Sequence, residues 1–233
     1  MNNSIDKRFD KQFESVPNLT WLPWVGKDYN SAPNGKRLLV LGESHYVPIG
    51  EDAKDGYNDI KWTRNFISKE GLKQPPLYTG NPINPLVNNT ERSIYLSKDI
   101  TDENKQRLWH SVSFFNLIQR LLNSRFTEDR PNSDDYIFGW QVFLNVIEII
   151  KPNACLVLGK SGFGPLCHVI NNVVNGWVIS VEKSNLNERF IVLSKNNYKL
   201  KLVFIRHPSS YFSWKKWGSL IENELPEFDA LKR

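Results

Sequence analysis

The segment from 205 to 213 combines an imidazole with several hydroxyl groups. It reads Ile-Arg-His-Pro-Ser-Ser-Tyr-Phe-Ser and follows an apolar run. Proline lacks an N–H and fixes φ, so Pro208 is expected to end a β-strand here. His207 can then donate hydrogen bonds at the rim of a sheet, and Ser209 with exposed amides can hold a phosphate. A strand end with a capping serine before a helix would account for the same residues without any chemistry.

A second segment that could do chemistry covers residues 42–46, which read Gly-Glu-Ser-His-Tyr. It directly follows the apolar run Arg-Leu-Leu-Val-Leu at 37–41. Gly42 lets a ligand approach the backbone, Glu43 can orient or activate water, and Tyr46 can form the wall of a flat pocket. The alternative is that Glu43 is a solvated loop carboxylate.

The apolar patterns place both segments directly after strands of an α/β fold. Short apolar runs predict buried strands at 37–41, 154–158, 177–181, 190–193 and 199–205. Three- and four-residue spacing predicts helices at about 103–123, 134–150, 162–174 and 213–225. We therefore expect a three-layer αβα sandwich with a mostly parallel central sheet. Such sheets bind ligands at the carboxyl ends of their strands, where the loops are 42–46, 159–164 and 207–213.

Two further features concern the boundaries of these elements. Residues 47–100 are rich in Pro, Gly, Asn and charge, and are expected to form a long excursion with one short helix near 62–68. The helix at about 134–150 is expected to have Ser133 or Asp134 as its cap and to end at Lys151-Pro152.

The composition indicates a single basic domain. The 233 residues fit one α/β domain spanning 1–233, with a core at about 37–225. The net charge of +5 and the pI of about 9.1 suit a phosphate-bearing partner such as DNA, or simply a soluble surface. No apolar run approaches the ~18 residues of a membrane-spanning helix, and residues 1–8 lack the pattern of a signal peptide. We expect a cytoplasmic chain without a membrane partner.

The cysteines and histidines favour neither a metal site nor a cofactor. Only Cys155 and Cys167 are present, too few for a four-cysteine iron–sulfur cluster. Both are expected to be buried as small hydrophobes. The four histidines lack the spacing of zinc ligands.

Aromatic and lysine side chains alternate at 211–217. This pattern suits the stacking of bases with phosphate contacts. It equally suits an amphipathic helix that buries Trp214 and Trp217.

The two polar segments together resemble motifs of the uracil-DNA glycosylase superfamily. That superfamily has Gly-Gln-Asp-Pro-Tyr or Gly-Glu-x-Pro-Gly after its first core strand, and His-Pro-Ser-Pro-Leu-Ser after its last. Residues 113–116, Ser-Phe-Phe-Asn, resemble the segment whose asparagine reads the flipped base. Residues 155–160 resemble its apolar strand followed by Leu-Gly. The resemblance spans about 37–225, with specific matches only in these short motifs.

This resemblance implies a uracil-DNA glycosylase-like fold and a hydrolase that releases a deaminated or modified base from DNA without a cofactor or metal. Glu43 and His207 would be catalytic, the first acting on water and sugar and the second on the departing base. Asn116 would bind the base edge, and Phe114 or Phe115 its face. The remaining substrate-binding residues implied are Gly42, Ser44, His45, Tyr46, Ser209, Ser210 and Tyr211.

Four positions depart from the family motifs. Ser44 stands where one branch has its water-activating Asp, and His45 where the family has Pro. Ser210 replaces the second Pro of the last motif, and Tyr211 the intercalating Leu. A nucleic-acid-binding module of the same fold without catalysis is therefore the first alternative. The second is an esterase-like hydrolase, since Gly-Glu-Ser-His also occurs in erythromycin esterase-like proteins.

Overall fold

A computed structural model describes residues 3–32, 35–47, 58–72, 84–123, 129–186, 188–209 and 211–232. Its central feature is a sheet of seven strands in the order β1-β4-β2-β6-β9-β8-β7. These strands are β1 Trp24–Val25, β2 Leu38–Gly42, β4 Val112–Asn116, β6 Ala154–Leu158, β7 Val178–Lys183, β8 Arg189–Lys195 and β9 Tyr198–Ile205. The four central strands β4, β2, β6 and β9 are parallel, and the outer strands pair antiparallel. β3 His45–Val47 and β5 Leu121–Asn123 form a separate parallel pair.

Strands β2, β4 and β6 are buried along their whole length. Parallel strands covered on both faces need apolar residues at every position, which explains the continuous apolar runs. Successive side chains point to opposite faces of a strand. Leu39 and Leu41 accordingly belong to one core with Phe143, whereas Leu38 and Val40 belong to the other.

Helices cover both faces of the sheet. They are α1 Asp10–Phe13, α2 Trp62–Phe66, α3 Pro85–Tyr95, α4 Asp102–Ser111, α5 Ser133–Ile150, α6 Phe163–Asn172 and α7 Trp214–Glu224. Helices α5 and α6 pack on one face, and α3, α4 and α7 on the other. The predicted α/β fold with a central sheet between helices is confirmed, and the sheet is parallel at its centre. None of the described helices is both long and apolar enough to span a bilayer.

The cap of helix α5 is Asn132, one residue before the nearer of the two predicted caps. Asn132 accepts a hydrogen bond from the backbone N–H of Asp135, whose carboxylate accepts one from the backbone N–H of Asn132. This capping box gives acceptors to two backbone N–H groups at the start of the helix, so neither Ser133 nor Asp134 is needed as the cap. The helix ends as predicted, at a left-handed Lys151 before Pro152.

The predicted helix at 103–123 is wrong in its second half. α4 ends at Ser111, and the chain continues directly into strand β4. Val112 and Phe115 continue the helical spacing by coincidence, because a strand buried on both faces is apolar at every position. Periodicity alone does not separate such a strand from a buried helix.

The segment 47–100 holds more structure than expected. The predicted helix near 62–68 is present as α2, which continues as a π-helix over Ile67–Gly71. Helix α3 was missed, although Asn84 caps it and Pro85 occupies its first turn, both common helix-start signals. β1 also extends the sheet ahead of the predicted core boundary at 37. Cys155 is buried as predicted, whereas Cys167 is only half-buried.

Candidate active site

The order of the parallel strands predicts where a ligand should bind. The chain runs from β2 to β4 on one side, and then crosses to β6 on the other side of β2. A crevice forms at such a reversal, at the carboxyl ends of the strands. Glu43 follows β2 and Gly159 follows β6, so both lie at this point. Asn116 ends β4, and His207 comes two residues after the end of β9.

Gly159 brings the carboxylate and the imidazole together. Its φ is +132°, a conformation that residues with a side chain rarely adopt. A Cβ at this glycine would lie 3.6 Å from Glu43 Oε1 and 3.9 Å from His207 Cδ2. The two groups are therefore separated by less than the sum of these distances. Glu43 and His207 therefore lie close together at the carboxyl edge of the sheet, although only His207 lines the cavity described below.

Gly42 makes room for the side chain of Asn116. The two residues are paired across β2 and β4, and a Cβ on Gly42 would lie only 1.9 Å from Asn116 Oδ1. Asn116 is 4% exposed, and its Oδ1 has no hydrogen-bond partner among the described residues. A buried acceptor without a donor costs free energy, so this oxygen is suited to a ligand that supplies one.

The contacts of His207 define which ring nitrogen carries the proton. Nδ1 lies 2.7 Å from Ser209 Oγ, and it accepts the Ser209 backbone N–H at 3.3 Å. Because a backbone N–H can only donate, Nδ1 is the acceptor and Nε2 carries the proton of the neutral ring. Burial lowers the pKa of His207, with Arg130 acting in the same direction and Glu43 against it. His207 is therefore a neutral donor near pH 7.

Glu43 is held by a residue to which no role was assigned from the sequence. The hydroxyl of Tyr136, in the first turn of α5, donates a 2.6 Å hydrogen bond to Glu43 Oε1. Burial raises the pKa of Tyr136, and its contact with Glu43 raises it further. Tyr136 therefore stays protonated and remains a donor to the carboxylate.

A cavity of about 570 Å³ opens beside these groups. Its floor is Phe114 and Asn116, and the Phe66 ring stacks on Phe114 with centroids 6.1 Å apart. The described residues that line it are Ser44, His45, Tyr46, Trp62, Asn65, Phe66, Lys69, Glu70, Asn84, Pro85, Leu86, Phe114, Asn116, His207 and Ser209. Flat aromatic walls with a few polar groups are typical of sites for planar ligands.

Residues 44–46 contribute to the cavity wall in different ways. Ser44 Oγ is buried without a hydrogen-bond partner among the described residues. His45 is 5% exposed, and its Nε2 lies 3.0 Å from Thr63 Oγ1. Burial lowers the pKa of His45 to about 3, so the ring is neutral. The Tyr46 hydroxyl accepts a hydrogen bond from Arg130 Nη1 at 3.3 Å.

Two predicted roles need correction, and a third predicted site residue lies outside the cavity. Phe115 does not reach the cavity, because alternate residues of β4 face opposite sides and its ring stacks on Phe143 in the other core. The Ser209 hydroxyl and N–H are both engaged with His207, so this residue orients the imidazole instead of being free to hold a phosphate. Tyr211 lies outside the cavity lining, 91% exposed at φ +47°, with the Arg206 guanidinium 5.7 Å from its ring. Ser210 lies outside the described residues.

The loop that carries His207 is also attached to α3. Asn89 Nδ2 donates a 2.7 Å hydrogen bond to the carbonyl oxygen of Pro208. α3 in turn packs closely on α7, where a Cβ on Gly218 would lie 2.6 Å from the carbonyl oxygen of Ser93. In α7, Trp217 is buried and Trp214 half-buried, so only Trp214 keeps an exposed surface for stacking.

Among the described residues, no cluster of three or more His, Cys, Asp and Glu side chains could hold a metal ion. A sequence profile of a family described as "Protein of unknown function (DUF3627)" matches residues 167–228. The matched quarter of the chain runs from α6 to the residues after α7 and includes His207 and Ser209, but not Glu43 or Asn116. A search of curated proteins gave no significant match.

Proposed function

We propose that this protein is a DNA glycosylase-like hydrolase with a uracil-DNA glycosylase-like fold, which releases a deaminated or modified base from DNA. The observation that carries the proposal is that Asn116 and His207 line one aromatic-walled cavity, with the Glu43 carboxylate close to His207 beside Gly159. These are the three residues that the sequence motifs assign to water, base edge and departing base.

In the proposed reaction, water adds to the sugar C1′ while the N-glycosidic bond breaks. The bonding electrons leave with the base, and the sugar gains positive character. Glu43 stabilises that character and accepts a proton from the water. The Nε2–H of neutral His207 donates to the base atom where negative charge develops, a preorganised electrostatic contribution. Ser209 holds the imidazole in the required tautomer.

Base recognition would use the side-chain amide of Asn116, whose Oδ1 has no partner among the described residues, and the stacked rings of Phe66 and Phe114. The asparagine can donate to and accept from the edge of a base that has left the helical stack. The rings supply a flat apolar surface against which any base can stack. Such a pocket requires the base to be flipped out of a duplex or taken from a single strand.

The DNA backbone would be held at the mouth of this cavity. Two exposed arginines are candidates for this contact: Arg130, near the ring of the cavity residue Tyr46, and Arg206, next to His207 in the chain and near the ring of Tyr211. Exposed Tyr211 is placed to stack on a base or to enter the gap left by a flipped one. We expect micromolar or tighter binding of oligonucleotides that weakens steeply with salt, because binding releases counterions.

The test is a screen of oligonucleotides with one uracil, hypoxanthine, xanthine or oxidised base. Single-turnover release of one of these bases by the wild-type protein, abolished in Glu43→Gln, is the expected result. If the protein binds oligonucleotides with a steep salt dependence and releases no base, the second candidate holds instead, a binding module that has lost catalysis. Ser44, in place of a water-activating Asp, favours that candidate. The esterase alternative has less support, since His45 is buried against Thr63 and Trp21.

A further inference from the structure

One wall of the cavity carries polar groups for which the proposed reaction has no use. It consists of α2, the π-helix and the start of α3, and its polar side chains are Asn65, Lys69, Glu70 and Asn84. Asn65 donates to Asp59, and Asn84 caps α3. No hydrogen bond or ion pair joins Lys69 or Glu70 to another residue within the described ranges.

Glu70 is the group on this wall that most needs a partner. It is half-buried, and burial raises the pKa of its carboxyl, with the Lys69 charge acting against this. A carboxylate that loses water without gaining a donor costs free energy. Lys69 is exposed and keeps its water. Among the described residues, what this wall lacks is therefore a hydrogen-bond donor to Glu70, best supplied by a cation.

The backbone around Glu70 is irregular and firmly attached to the core. Ile67–Gly71 forms a π-helix, a rare geometry that occurs frequently at functional sites. Gly71 packs so closely that a Cβ there would lie 2.8 Å from Trp109 Nε1. The same indole nitrogen donates to buried Glu91 at 2.8 Å. Glu70 is thus presented to the cavity from a fixed turn.

We infer that Glu70 forms a second subsite of the cavity, which binds an amino group on a substituent of the base that Asn116 and His207 hold. The cavity of about 570 Å³ falls in the range of about 300–1,000 Å³ that is typical of sites for drug-sized ligands, so it has room for more than one pyrimidine ring. The substrate class would then be bases extended by an amine-bearing substituent. This inference rests on the proposed function for the orientation of the base.

The experiment measures binding and base release on the same single-stranded oligonucleotides. Each contains one test base: uracil, 5-(3-aminoallyl)uracil, N6-(aminoalkyl)adenine, or 5-(carboxyvinyl)uracil as the control of opposite charge. Two amine-bearing bases are used because their substituents project from different edges of the base, and either edge could face Glu70. The proteins are the wild type, Glu70→Gln, and Glu14→Gln as a matched control at an exposed carboxylate outside the cavity.

The expected result is that the wild type binds at least one amine-bearing oligonucleotide about tenfold more tightly than the uracil one, as a charge-assisted hydrogen bond allows. Glu70→Gln should remove most of this preference, and Glu14→Gln should keep it. Equal affinities in the wild type, or a preference unchanged by Glu70→Gln, would overturn the subsite. Base release without a preference for the amine would refute the subsite and leave the proposed function intact. Amine-selective binding without base release would support the subsite and refute the proposed catalysis.

Discussion

Tyr136 donates a short hydrogen bond to Glu43, and so links the first turn of α5 to the carboxylate at the end of β2. In Tyr136→Phe the carboxylate loses the hydrogen bond that holds it in place. We expect base release to slow by about tenfold or more, since hydrogen bonds to charged groups contribute about 1.5–3 kcal/mol. The readout is the single-turnover rate on the substrate found in the screen.

Tyr95→Phe is the matched control for this change. The Tyr95 hydroxyl also donates a hydrogen bond, to the carbonyl oxygen of Asn104, but it lies outside the cavity lining. A rate of base release in Tyr136→Phe equal to that in Tyr95→Phe would show that Tyr136 does not position Glu43 for catalysis.

Glu43→Gln and His207→Ala should each slow single-turnover base release by about 10²-fold or more, because each removes a charge-stabilising group from the transition state. Oligonucleotide affinity should stay within a few fold, since the basic rim supplies the phosphate contacts. The two quantities are measured on the same substrate. Wild-type-like release in both variants would refute the mechanism, even with the fold unchanged.

Asn116→Ala should reduce discrimination between bases more than it reduces the rate on the best base. An edge contact of this kind is worth about 1–3 kcal/mol. The readout is the ratio of single-turnover rates on two bases from the screen. A ratio equal to that of the wild type would show that the Asn116 amide does not read the base.

Gly42→Ala should displace Asn116, because the added Cβ would fall 1.9 Å from its Oδ1. We expect a loss of about 1–3 kcal/mol in the free energy of unfolding, as for other overpacked sites, together with the selectivity defect of Asn116→Ala. Gly164→Ala is the control, since its Cβ would meet nothing within 4 Å. Urea denaturation of both variants checks the stability, and equal stabilities would contradict the close approach.

His45 should make the fold sensitive to acid. Its pKa is about 3 in the folded protein and about 6.5 when unfolded, so the unfolded chain binds more protons between these values. The contribution is fully present above pH 6.5 and is lost as the pH falls towards 3. Between pH 7.5 and 5 the wild type should lose about 2 kcal/mol more unfolding free energy than His45→Gln. Parallel urea titrations at the two pH values measure this difference, and equal losses would mean that the buried ring is not the cause.

The sequence predicted three of the strands that end at the site, β2, β6 and β9, because continuous apolar runs are what a covered parallel sheet requires. It also predicted that Glu43 and His207 lie at the same edge of the sheet, since both follow such runs. Asn116 was placed correctly through its motif, although the surrounding residues were predicted as helix. The apolar spacing around Val112 fits both structures, and only pairing with β2 and β1 decides between them.

What the sequence did not predict depends on orientation and on distant contacts. Phe114 and Phe115 are equivalent in the sequence, and the strand register alone sends one to the cavity and the other to the opposite core. Tyr136 lies 93 positions from Glu43, and nothing local in α5 indicates that its hydroxyl reaches a carboxylate. The hydroxyl of Ser209 was assigned to a phosphate, whereas in the structure it forms a hydrogen bond with the imidazole of His207.

The hydrogen bond from Asn89 to Pro208 has a mechanical consequence. The loop with His207 is fastened to the sheet at one end and to α3 in its middle, while the first turn of the same helix borders the cavity. α3 therefore connects the cavity wall to the Pro208 carbonyl, and its close packing on α7 supports it. A ligand that displaced the first turn of α3 would also displace the imidazole of His207, so the position of this ring would depend on how the cavity is filled.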